Sequence, residues 1–128
     1  MESSHKSTSG LQRIWRASFY SAEGLRAALR HEHAFRQELL LCALLLPFAL
    51  FLPLIAMERA VLIAALLLVL IVELLNSAIE AIVDRVSLEN HDLSKRAKDL
   101  GSAAVFLSLT VVAVTWILIA GPALARWA

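Results

Sequence analysis

The chain has 128 residues, 59% of them apolar, and a formal net charge of +1. Soluble domains average roughly 45–50% apolar residues, so this composition and a mean hydropathy of +0.72 exclude an ordinary soluble domain. The single cysteine, Cys42, excludes an internal disulfide, and no nucleic-acid partner is expected.

Residues 1–10, MESSHKSTSG, are polar and lack the apolar stretch of a signal peptide. They are expected to form a disordered tail, because they bury too little surface to offset ordering entropy. Residues 11–128 are then one membrane domain. Over 11–31, Leu11, Ile14, Trp15, Ser18, Phe19, Ala22 and Leu25 follow an i, i+3, i+4, i+7 course, with arginines mostly on other faces. This predicts an amphipathic helix lying in a membrane surface, with Gly24 a point of possible kinking. Three apolar runs follow, at about 39–57, 60–79 and 102–125, each near the length needed to cross about 30 Å of hydrocarbon. Pro47 should bend the first span and Pro53 end it. A short link around Met57–Arg59 makes spans one and two antiparallel neighbours. Span two should continue to Val86. SLENHDLS then reads as a loop with an N-cap at Asp92 or Ser94, and KRAKDLGSAAV starts the third helix.

Ten of the twelve basic residues precede span one or lie between spans two and three; only Arg59 and Arg126 do not. The positive-inside rule therefore puts the N-terminus and the second loop in the cytoplasm.

Span two carries Glu73, Asn76, Glu80 and Asp84 in VELLNSAIEAIVDR. At 100° per residue the later three lie within about 60° of Glu73. An acid at membrane depth costs roughly 2.5–3.5 kcal/mol on insertion scales, so a chain that keeps one generally uses it. Glu73, the deepest, suits a general base. Three helices enclose little by themselves, so the stripe is expected to need a second copy of the chain to cover it. Glu32 and Glu38 in RHEHAFRQELL read two ways: with Glu80 as oxygen ligands for Mg²⁺ and its phosphates, or as ion-pair partners of Arg30 and Arg36. His31 and His33, two residues apart, point to different helix faces and do not share a metal. Lys98 at the mouth of span three suits either a phosphate or snorkelling to lipid headgroups. The four glycines make neither a Walker A loop nor G-x-G-x-x-G.

The stretches VELLNSAIEAIVDR and ENHDLSKRAKDLGSAAV, with GLRAALRHEHAFRQE before them, closely resemble the small integral-membrane diacylglycerol kinases of bacteria over about residues 11–118. That resemblance implies an all-α homotrimer with three transmembrane helices and an N-terminal surface helix per chain, in the bacterial inner membrane. It implies transfer of the γ-phosphate of MgATP to the hydroxyl of diacylglycerol. Glu73 is then the base, aided by Asn76, and Glu32 and Glu80 are the metal ligands. Arg13, Tyr20, Ser21, Glu32, Glu80, Asp84, His91, Lys98 and Asp99 fall on nucleotide positions. Arg13, Glu73 and Ser102 fall on lipid-substrate positions, and Glu38 is also polar there. Ala22, Glu23 and Asn90 depart from the pattern. Relatives of this fold phosphorylate undecaprenol, but NSAIEAIVDR and AKDLGSAAV look like the diacylglycerol type. Two non-enzymatic readings are a cation conduit, which the apolar outer half of span two disfavours, and an assembly subunit held by a polar seam.

Overall fold

The computed structural model describes residues 3–86 and 91–127, and the backbone divides into two compact units, Met1–His33 and Ala34–Ala128. Helix α1 (Ser3–His31) makes up the first unit. It begins well before the expected start near Leu11. Ser and Thr are middling helix formers, and extending an existing helix avoids the nucleation penalty. It passes through Gly24 without a break. Ser18 Oγ and Ser21 Oγ donate to the carbonyls of Ile14 and Ala17 at 2.9 and 2.8 Å, which satisfies hydroxyls inside a helix. Leu11, Ile14, Trp15 and Phe19 on its apolar stripe are all exposed.

In the second unit, α2 (His33–Phe51) and α3 (Ala56–Val86) are long and apolar enough to cross a membrane, as is the helical stretch Asp92–Trp127. Helix α2 runs through Pro47 and stops before Pro53, since the residue preceding a proline is pushed out of the helical region. Its last carbonyls would be left bare at a turn as short as Leu52–Ile55. Arg59 fills that need: its guanidinium donates to Ala49 O at 2.6 Å, Leu50 O at 2.7 Å and Leu54 O at 3.1 Å. Glu58 Oε1 accepts from the Ile55 N–H at 3.0 Å and starts α3. Arg126 donates to Pro53 O at 3.0 Å, tying the chain's far end to the same turn.

Helix α4 (Asp92–Thr115) is capped by His91, whose Nδ1 accepts from Leu93 N at 3.1 Å, rather than by Asp92 or Ser94. An imidazole nitrogen can cap as a hydroxyl or carboxylate does, and sequence preference does not rank it. A π-helical turn, Trp116–Ala120, then leads into α5 (Gly121–Trp127). Pro122 has no N–H to offer Leu118, and the wider turn ahead of it absorbs the mismatch: Gly121 N donates to Trp116 O.

The core follows from the helical periods. Leu62, Leu66 and Val69 of α3 meet Val112 of α4 and Trp116 of the π turn, with Cys42 and Ala49 of α2 closing the cluster. Cys42 Sγ donates to Leu66 O at 3.6 Å, so the lone thiol sits at a helix contact. On α4, buried or half-buried Ala97, Gly101, Val105, Ser108 and Val112 recur every three or four residues as one stripe.

Candidate functional site

The apolar core gives way at one end to side chains that no lipid-facing helix would carry. Glu73 is 3% exposed and Asn76 8% exposed, both on the continuation of the α3 stripe. Glu38 of α2 lies against Glu73. One helical turn on, Asn76 Nδ2 donates to Glu80 Oε1 at 3.4 Å. Asn76 Oδ1 and Glu38 Oε2 are buried without a hydrogen-bond partner. Gly101 of α4 lies against Asn76: a Cβ there would fall inside contact distance of Oδ1 and 3.2 Å from Cγ. Asn76, Gly101 and the Glu38–Glu73 pair thus place α2, α3 and α4 around one buried polar end.

The chain's own helices cover the stripe only in part, since Glu80 is half-buried and Asp84 exposed. Glu73 and Asn76 are buried within one chain, because Glu38 and the glycine on α4 let two helices close over them. Glu38, on α2, meets Glu73 of α3.

Beyond Glu80 the site opens. Lys98 Nζ pairs with Asp84 Oδ1 at 2.7 Å across α4 and α3, with both side chains largely exposed. Asp99 pairs with Lys95 at 2.7 Å on α4 itself. Ser102 is exposed, and His91 is an exposed helix cap. Asn90 lies outside the described residues. Arg13, Tyr20 and Ser21 are exposed on α1, and Glu32 is half-buried at its end. These four belong to the first unit.

Among the described residues no group of three His, Cys, Asp or Glu side chains stands ready to hold a metal alone. The donor chemistry still suits a hard cation. Glu80 is half-buried and offers carboxylate oxygen, and Mg²⁺ takes one or two carboxylates and completes its shell with water and phosphate.

Three features escaped sequence reasoning: the Glu38–Glu73 pair, the Asp84–Lys98 bridge and the contact of Gly101 with Asn76. The first had a signal, since Glu38 and Cys42 are four apart on α2 and share a face. The others depend on how α4 is set against α3, which no spacing within one helix encodes.

The family model described as prokaryotic diacylglycerol kinase matches residues 19–120. A diacylglycerol kinase of Pseudomonas aeruginosa is 60% identical over 111 residues, covering 87% of this chain and 90% of the relative. Diacylglycerol kinases of Escherichia coli K12 and Helicobacter pylori strain 26695 are 51% and 40% identical, over 85% and 84% of this chain and 89% and 84% of the relatives. The chain belongs to the prokaryotic diacylglycerol kinase family.

Proposed function

We propose that this member of the prokaryotic diacylglycerol kinase family transfers the γ-phosphate of ATP to the hydroxyl of diacylglycerol, giving phosphatidic acid and ADP. The observation that carries the reading is the buried acid pair Glu38–Glu73, followed along α3 by Asn76 and then by the half-open Glu80. An acid at that depth can meet a lipid hydroxyl whose acyl chains stay in the bilayer. Glu73 takes the hydroxyl proton as the oxygen attacks the γ-phosphorus and the bond to the β-phosphate oxygen breaks. Asn76 fixes the geometry between Glu73 and Glu80. Lys98 exchanges its Asp84 partner for phosphate oxygen, and the resemblance assigns Arg13, Tyr20, Ser21, His91 and Asp99 to the nucleotide. Arg13 and Ser102 are further contacts to the lipid head. The resemblance assigns Glu32 and Glu80 to the Mg²⁺ carried by the nucleotide, which offsets charge on the phosphates when bound.

The working form is a homotrimer in the bacterial inner membrane, with α1 in the cytoplasmic surface. The exposed apolar stripe of α1 and the basic-residue bias support the surface helix and the orientation. The decisive assay is ATP-dependent phosphorylation of dioleoylglycerol by the purified protein in mixed micelles, with undecaprenol as the competing acceptor. Faster turnover of undecaprenol would overturn the substrate assignment, and no transfer to either lipid would overturn the kinase assignment.

A further inference from the structure

We infer that Gly101 is a positioning residue for the nucleotide–metal side of the site, acting through the rotamer of Asn76. The inference rests on the reading of Glu80 as a ligand of the nucleotide's Mg²⁺. Asn76 has one donor end and one acceptor end. Its donor end faces Glu80 Oε1 at 3.4 Å, and only that end can, because a carboxylate offers no hydrogen to an amide oxygen. Oδ1 must then point at α4, where it is buried and finds no donor. The place it occupies is the place a side chain at 101 would take. An added Cβ would overlap Oδ1 and stand 3.2 Å from Cγ, but 3.9 Å from the Asn76 Cβ. The last figure is ordinary contact. The conflict therefore lies with the amide alone, not with the packing of α3 on α4.

The consequence is a chain of two contacts. Any side chain at 101 turns the Asn76 amide away, the amide releases Glu80, and Glu80 loses its fixed orientation. Gly101 carries no polar group and touches no reactant in this scheme; its contribution is the absence of a Cβ. Without that conflict, a glycine-to-alanine change inside a helix should favour the helix.

The test is a double-mutant cycle read by binding rather than turnover. Gly101→Ala, Asn76→Ala, the double variant and Glu80→Gln are purified in detergent. Binding of a non-hydrolysable ATP analogue is titrated with Mg²⁺ present, and the thermal midpoint is measured for each. Gly101→Ala should weaken analogue binding about tenfold, which is about 1.4 kcal/mol. In the Asn76→Ala background the same change should leave binding unaltered and raise the thermal midpoint. An equal loss in both backgrounds, or no loss from Gly101→Ala alone while Glu80→Gln loses binding, would overturn the role of Gly101. Unchanged binding in Glu80→Gln would instead overturn the reading of Glu80. If Gly101→Ala fails to fold and Asn76→Ala does not restore folding, the glycine serves helix packing and the inference is wrong.

Discussion

Glu73→Gln separates chemistry from structure at the centre of the site. The carboxyl is 3% exposed and lies against Glu38, so the replacement must not strand a buried partner. An unsatisfied buried polar group costs about 1–3 kcal/mol, which Glu73→Ala would incur. Gln avoids it: the amide has nearly the same shape and donates to Glu38 without a proton on either side chain. The thermal midpoint should therefore stay close to wild type, and nucleotide-analogue binding should persist. The amide cannot accept a proton from the lipid hydroxyl. General-base catalysis contributes about 10²–10⁴-fold, and turnover should fall by at least that factor. The assay is phosphorylation of dioleoylglycerol in mixed micelles, normalised to folded protein. Retention of a tenth or more of wild-type turnover would refute the assignment of Glu73 as the base.

Glu80→Gln and Glu32→Gln should shift activity toward higher free Mg²⁺, and superimposable Mg²⁺ curves would remove both from the metal site. Arg59→Ala strips the donors from the Ala49, Leu50 and Leu54 carbonyls; a loss of about 3 kcal/mol in denaturant unfolding is expected, with turnover per folded molecule unchanged.

The spans, their order and the acidic stripe were legible because hydrophobic length and the 3.6-residue period are properties of single segments. Glu73 and Glu80 stood out for the same reason, as acids in an apolar run. What the sequence did not convey lies between helices. The meeting of Glu38 with Glu73 is visible only once α2 is set beside α3. Gly101 reads as a loosely placed small residue until Asn76 is found against it. Arg59 reads as a lone outer charge, whereas the short turn at Leu52–Ile55 gives it the open end of α2 to cap. The π turn at Trp116–Ala120 follows from Pro122 in hindsight, yet a proline allows a kink, a stop or a widened turn, and packing selects among them.

Assembly is where the geometry changes the reasoning most. Glu73 is buried within one chain, while Glu80 stays half-buried and Asp84 exposed. Distance supplies a further argument for shared sites. Glu73 and Asp84 are separated by about 16 Å along α3, and the Lys98 amine rests on Asp84 of its own chain. One phosphate chain that must meet both a Glu73 carboxyl and a Lys98 amine is served more directly if the lysine comes from a neighbouring copy. In that case two inactive variants complement each other. Glu73→Gln and Lys98→Ala chains, mixed in denaturing detergent and reconstituted together, should regain lipid phosphorylation, because some sites then pair an intact Glu73 with an intact Lys98. Each variant reconstituted alone should remain inactive. Mixed assemblies verified by differential tags, yet inactive at every mixing ratio, would show that both residues serve one site from the same chain.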